Sequence, residues 1–325
     1  MYALRLKAPQ EFELLDDVPE PVPGPGQLTV RLTAAALCGS DLPKWRSTAD
    51  PRSGRVGFPI HECVGRVADP GDTGLRAGQR VLAMPVEECG LAEIYLADRA
   101  ATHPIAIAHL TDAQATLIQP LATVLHATAK LGDVDGCHVA VLGLGPIGLL
   151  TAFVLSRRGA IVTGVDPVAR HHDLLAAFGI TRHLQDTASA WPASKHTATP
   201  VDICVEAVGH QQHTLRDAIS ITRHDGTILA LGVPDDPDYS IPYAQFLRRN
   251  LTLRASITPP WQQVFAPAET YLHNHLDILA TLLGDRAYPA IGVNRAFRAY
   301  ANPAPDRLKV VIIADHRWAP QGGCP

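Results

Sequence analysis

The sequence contains no CxxC pair, no dense block of lysine or arginine, and no unbroken apolar run of membrane length. Each absence excludes something. Six cysteines, Cys38, Cys63, Cys89, Cys137, Cys204 and Cys324, are scattered singly, so they read as free thiols of a reducing compartment rather than a disulfide frame. Without a basic footprint, and with a formal charge of −4, neither nucleic acid nor an anionic membrane is expected as a partner. Residues 1–15 alternate apolar with charged residues and lack the apolar core of a secretory signal, so a cytoplasmic protein is expected. The most apolar stretch, 139–155, is broken by glycines and Pro146 and reads as strand, turn and helix rather than a membrane span. What remains is a globular composition, 46% hydrophobic and 18% charged, on a chain of 325 residues that exceeds one ordinary core.

The chain changes character once. Up to about residue 120, short β-like runs such as 28–32 and 80–83 are separated by Pro/Gly turns at 19–26 and 69–78, the pattern of a compact mostly-β domain. From about 136, strand-like runs (139–142, 161–166, 201–206, 227–231) alternate with helix-like ones (146–158, 169–178, 215–222). That alternation predicts a parallel sheet with helices on both faces. The polar stretch 181–200 reads as a surface connection, and a helix over 267–283 and a strand over 309–314 follow Pro259-Pro260. This tail is expected to return to the first domain.

Gly143-Leu144-Gly145-Pro146-Ile147-Gly148 follows an apolar strand and opens a helix, with Asp166 at the end of the next strand. In a dinucleotide site the first glycine permits the tight turn and the second lets backbone approach the pyrophosphate. The third lets helix and strand pack closely, and an acid such as Asp166 binds the adenosine ribose. A carboxylate repels a 2′-phosphate, which favours NAD over NADP, although Arg170 nearby leaves NADP possible. Arg170 could lie over the adenine, pair with a phosphate, or be a solvated arginine at a helix start. Val208 in Val205-Glu206-Ala207-Val208-Gly209, and Gly232 after the strand at 227–231, lie at the sheet's carboxyl edge. Either loop could line the nicotinamide pocket or be plain turn chemistry.

Cys38-Gly39-Ser40-Asp41 and His61-Glu62 put a thiolate, an imidazole and a carboxylate in the first domain, the donor types zinc takes in tetrahedral sites. Spacing alone does not decide between a metal site and a core cysteine with a surface His-Glu pair.

The ordered set decides more. Cys38-Gly39-Ser40-Asp41, His61-Glu62-Cys63-Val64-Gly65, Ala92-Glu93-Ile94-Tyr95, Gln119-Pro120-Leu121-Ala122, the glycine turn, Val205-Glu206-Ala207-Val208-Gly209 and Lys309-Val310-Val311 resemble the medium-chain dehydrogenases/reductases, in their zinc-dependent alcohol and polyol branch, which includes sorbitol and threonine dehydrogenases. The resemblance implies a GroES-like β domain (1–122 and 258–325) carrying catalytic zinc and a doubly wound Rossmann domain (123–257) carrying NAD(P). It also implies a cleft between them where a small-molecule alcohol or ketone meets the nicotinamide, and a homodimer or homotetramer. By the same resemblance Cys38 and His61 are zinc ligands, Glu62 is a ligand or a close carboxylate, Asp41 orients the imidazole, and Ser40 takes the substrate's hydroxyl proton.

The sequence departs from that pattern in places. Ile60 replaces the glycine that usually precedes His-Glu, and Gln119 replaces the glutamate before Pro-Leu, so Gln119 is a neutral candidate ligand. Pro43 replaces the relay histidine, with Lys44 beside it as a substitute or a solvated lysine. The lobe that often holds a structural zinc with four cysteines is reduced to 84–91, with Cys89 alone, so one catalytic zinc and no structural zinc are expected. Cys63, Cys137 and Cys204 are expected to pack within strands, and Cys324 to lie in a frayed tail. The reading that follows is a zinc- and NAD-dependent dehydrogenase of a secondary alcohol such as a polyol, sugar or cyclitol. A zinc-free NAD(P)H-dependent enone or quinone reductase is the alternative, and a non-catalytic redox sensor or scaffold the second.

Overall fold

The computed structural model describes residues 1–193, 200–257, 259–284, 286–302, 304–305, 308–314 and 318. Cys324 and part of the stretch 181–200 lie outside the described residues. Contacts divide the chain into two compact units, Met1–Pro120 with Pro260–Pro303 and Arg307–Pro325, and Leu121–Pro259 with Ala304–Asp306.

The first unit begins with an antiparallel pair, β1 (Ala3–Ala8) and β2 (Glu11–Leu15). Strands β3 (Gln27–Ala36), β4 (Glu62–Asp69), β5 (Arg80–Pro85) and β6 (Ile94–Pro104) follow in antiparallel succession, and β3 pairs back onto β6. The sheet therefore closes on itself. Alternation explains which side is inside: Leu28, Val30 and Leu32 of β3 are buried in the core while Arg31 between them points out and pairs with Glu93 at 2.5 Å.

The second unit carries β7 (His138–Leu142), β8 (Ile161–Val165), β9 (Ile180–Leu184), β10 (Val201–Glu206), β11 (Thr222–Ala230) and β12 (Thr252–Ala255). Their order is β12-β11-β10-β7-β8-β9, every neighbouring pair parallel. Helices Pro146–Ser156, His172–Ala177 and Gln212–Ile221 make crossovers, so the central strands are buried on both faces and read as continuous apolar runs. Strand order reverses between β7 and β10, the place where doubly wound sheets open a crevice for a ligand.

The chain then returns to the first unit, where β14 (Val311–Ile313) adds antiparallel to β3 and β13 (Ala287–Pro289) adds parallel to β14. The two units are thus the expected GroES-like β fold and Rossmann fold. No helix among the described residues is long and apolar enough to cross a membrane.

Several local expectations are corrected. The helix expected over 169–178 starts at His172, because Asp166 Oδ1 accepts the Val168 N–H at 2.7 Å and turns the chain first. Residues 181–184 of the supposed polar connection belong to edge strand β9 (Ile180–Leu184). The helix expected over 267–283 starts earlier and breaks: it spans Trp261–Asn274 with Pro267 inside, then restarts as Leu276–Leu279. The strand expected at 227–231 begins at Thr222 and ends at Ala230, and the last strand is confined to Val311–Ile313. Cys63 and Cys204 are buried in strands, but Cys137 precedes β7 and is half-buried.

Candidate active site

Strand β3 ends at Ala36, and Cys38 sits in the turn that follows. His61 and Glu62 stand at the start of β4, where Ala36 pairs with Glu62. This register brings residues far apart in sequence together. The ligand atoms of Cys38, His61 and Glu62 all lie within 4.8 Å of one another, and among the described residues this is the one His/Cys/Asp/Glu group of three so disposed. Donors around a tetrahedral zinc, bound at about 2.0–2.3 Å, stand roughly 3.3–3.8 Å apart, so a sulfur, a nitrogen and an oxygen at this spacing fit that ion after small shifts.

Asp41, fully buried, ties two of these residues together. Its Oδ2 accepts the Cys38 N–H at 2.8 Å, and its Oδ1 lies 3.2 Å from His61 Nδ1. The second contact has ion-pair distance without hydrogen-bond alignment. Burial disfavours the imidazolium most strongly, but Asp41 and Cys38 together outweigh it and hold the His61 pKa well above its ordinary value. Ser40 opens the helix Asp41–Arg46 without spending its hydroxyl on a cap. Gln119 is buried in the first turn of the helix Ile118–Ala129.

Glu62 has a partner that sequence reasoning missed. Lys309 Nζ donates to Glu62 Oε2 and, at 3.0 Å, to the Leu37 carbonyl, with both charged side chains almost wholly buried. Burial raises the Glu62 pKa more than Lys309 lowers it. The signal was present: a lysine directly before the buried run 310–314 must find an anion or leave an unpaired charge in the core. Tyr300, on the helix Val293–Ala301, is a second omission. Burial pushes its phenol pKa well up, and the negative charges of Cys38, Glu62 and Asp41 add to this. Lys44 is neither solvated nor free, for it pairs with Glu88 at 2.6 Å and stands 6.0 Å from the Phe58 ring centroid.

In the second unit the glycines divide their work. Gly143 turns with φ +88°, and a Cβ on Gly148 would lie 1.8 Å from the Gly143 carbonyl oxygen, so helix and strand could not approach. Gly145 faces open space, with nothing within 4 Å of an added Cβ, at the N-terminus of the helix Pro146–Ser156. Pro146 and Ile147 begin that helix, whose first amides face outward. A phosphate fits there. Beside it lies a cavity of about 160 Å³ lined among others by Gly143, Asp166, Pro167, Asp186, Thr187 and Val208.

Asp166 braces the turn it faces. Its Oδ2 accepts the Leu144 N–H at 2.6 Å, which fixes the glycine loop, and each carboxylate oxygen retains acceptor capacity. Arg170 is half-buried and donates to the Ala304 carbonyl at 2.8 Å, with its Nε lacking a partner. Burial lowers its pKa against the pull of Asp166. Val208 packs against Gly143 and lines the cavity, whereas Gly232 is held against Glu206 and Gly209, where an added Cβ would lie 2.3 Å from Glu206 Oε2. Glu206, buried at the end of β10, organises both loops: Oε1 accepts from Val208 N–H at 2.9 Å, Gly209 N–H at 3.2 Å and Thr214 Oγ1 at 3.0 Å.

Comparisons with known proteins agree with this geometry. Residues 24–107 match the model of the alcohol dehydrogenase GroES-like domain, and residues 146–272 that of the zinc-binding dehydrogenases. Sorbitol dehydrogenase of Bombyx mori is 25% identical over 280 residues, 74% of this chain and 80% of that protein. An L-threonine 3-dehydrogenase of Legionella pneumophila is 25% identical over 281 residues, covering 74% and 79%. Galactitol-1-phosphate dehydrogenase from Escherichia coli has the same fold, with a TM-score of 0.79, 20% identity, and coverage of 97% of this chain and all of that one. The chain belongs to the zinc-binding, NAD(P)-dependent alcohol dehydrogenases with a GroES-like domain. Within the medium-chain dehydrogenases/reductases it falls in the alcohol and polyol branch.

Proposed function

We propose that this protein oxidises a secondary alcohol of a polyol, sugar or cyclitol type, or reduces the corresponding ketone, with NAD and one zinc ion per chain. The clustering of Cys38, His61 and Glu62 carries the reading, supported by the polyol and hydroxy-acid dehydrogenases among its relatives, such as D-arabinitol dehydrogenase 1 of Uromyces fabae. Zinc, when bound, supplies a Lewis acid for the substrate's oxygen, and the dinucleotide supplies the hydride acceptor. Cys38 and His61 hold the metal, with Glu62 or Gln119 as the further ligand.

The chain's own residues do the rest. Asp41 anchors the Cys38 backbone and sets its charge 3.2 Å from His61 Nδ1, which keeps both residues in register. Ser40 takes the hydroxyl proton of the alcohol. Lys309 neutralises Glu62, so the site carries less net negative charge and favours an electron-rich substrate oxygen. Asp166 favours NAD, because its carboxylate already sits against the glycine turn and would repel a 2′-phosphate.

Strand β12 ends the sheet with all four residues exposed, and Leu253, Leu247, Tyr243 and Ile257 are solvent-facing around it. An uncovered, partly apolar edge favours pairing with a second copy, and a homodimer is the expected assembly.

The test is metal content by mass spectrometry together with NADH production over a panel of polyols, sugars, amino-cyclitols and β-hydroxy amino acids. One zinc per chain, lost together with activity in Cys38→Ala, supports the proposal. Full enone reduction by metal-free protein overturns it.

A further inference from the structure

Two exposed histidines meet in the first unit, on elements that hold none of the residues assigned above. The helix Trp261–Asn274 packs along β6 and the segment that follows it. Three observations define the place. Glu269, buried, accepts the Ala106 and Ile107 N–H groups on Oε1 at 2.8 and 2.7 Å and meets His103 Nε2 on Oε2 at 2.7 Å. Arg80 Nη2 donates to the Leu110 carbonyl at 2.6 Å. One turn along the helix from Glu269, the exposed His273 turns Nδ1 toward Nε2 of the exposed His109, 3.1 Å away, with the ring centroids 4.8 Å apart.

We propose that His109 and His273 form a two-histidine chelate for a divalent late first-row transition ion, zinc, nickel or copper, that clamps the segment after β6 to the helix Trp261–Asn274. Two imidazole nitrogens bound at about 2.0–2.1 Å stand about 2.9 Å apart at a right angle and about 3.3 Å apart at the tetrahedral angle. The observed 3.1 Å falls between these. The ring positions discriminate further. An imidazole centroid lies about 1.2 Å behind its nitrogen, so a shared ion at this nitrogen spacing places the centroids about 4.8–4.9 Å apart. A straight N–H···N hydrogen bond of the same length, with donor and lone pair in line, would place them about 5.4 Å apart. In the metal-free protein the pair shares a proton in a bent hydrogen bond, and its nitrogen and ring spacings are those a shared ion would need in that proton's place.

The donors are also held in advance. The backbone is fixed on one side of His109 by Glu269 at residues 106 and 107 and on the other by Arg80 at Leu110, so little chain entropy is lost when the second imidazole engages. Neutral imidazole suits zinc, nickel and copper and disfavours calcium or magnesium, and water completes the sphere. None of these residues takes part in the proposed dehydrogenase reaction.

Calorimetric titration of Ni²⁺ onto untagged, zinc-loaded protein tests it, with zinc followed in the same samples. The expected result is one Ni²⁺ per chain taken up with zinc retained, and a thermal midpoint that rises with Ni²⁺. His109→Gln and His273→Gln each weaken that uptake at least tenfold and abolish the thermal shift, whereas Cys38→Ala keeps both. The absence of an added equivalent, or its survival unchanged in both glutamine variants, overturns the proposal.

Discussion

At the scale of single residues, the first unit's chemistry depends on buried charges that neutralise one another. Lys309 and Glu62 are each almost fully buried, and removing one leaves the other's charge uncompensated in the core. Such losses cost about 3–5 kcal/mol. Lys309→Met is therefore expected to lower stability by that order in urea denaturation, with a clearly smaller loss when Glu62→Gln is added. His61 supplies a pH prediction. Its pKa is raised well above its ordinary value of 6.5, so zinc binding through this ring would displace a proton. Zinc affinity should fall as pH drops, beginning above pH 6.5, as read by competition with a chelator. In the metal-free protein the sign of the stability effect is the reverse. The raised pKa adds stability that is fully present below about 6.5 and disappears as pH rises through the folded value. The family resemblance rather than the spacing singled out Cys38, Ser40, Asp41, His61 and Glu62, and the structure gathers Cys38, Asp41, His61 and Glu62 into one cluster. Lys309 was not used, because a lysine announces no partner until the strand before which it stands is placed beside β3.

At the scale of elements, the glycine turn and the loop after β10 act together. A methyl group on Gly148 meets the Gly143 carbonyl oxygen, so Gly148→Ala should cost about 1–3 kcal/mol through forced separation of helix and strand. Thermal unfolding measures that cost, and NAD titration should show weakened binding in the same variant. Glu206→Gln keeps the size of the side chain but loses the charge that three donors share. Hydrogen bonds to charged groups are worth about 1.5–3 kcal/mol. The expected outcome is an increase in the KM for NAD exceeding any change in the KM for alcohol; equal changes in both would refute a role confined to the loops. The strand-helix alternation of this unit was readable because its strands are continuous apolar runs. What escaped were its weak members. β9 begins with one buried residue followed by exposed and half-buried ones, and β12 is exposed throughout, so neither carries a hydrophobic pattern. Pro267 misled in the other direction: read as a helix start, it sits inside a helix that begins at Trp261.

At the scale of the whole molecule, the chain leaves the first unit after Pro120, builds the second, and comes back at Pro260 to finish the first. This return was anticipated from the late apolar strand, since a run such as 310–313 needs a sheet to join. The strand's exact partner was not readable, because pairing is a long-range choice that local pattern leaves open. The exposed edge of β12 carries the prediction for assembly. Leu253→Lys places a charge on that edge and should shift the particle mass from dimer to monomer in light scattering, with the secondary structure intact by circular dichroism.

The pairing of Lys309 with Glu62 also has a temporal meaning. Cys38, His61 and Glu62 leave the ribosome long before the lysine that balances them, which follows Glu62 by 247 residues. Until then Glu62 lacks the cation that pairs with it, and the segment leading into β14 is what brings that counter-charge. The charge balance around Cys38, His61 and Glu62 is thus completed only after the entire second unit has been translated.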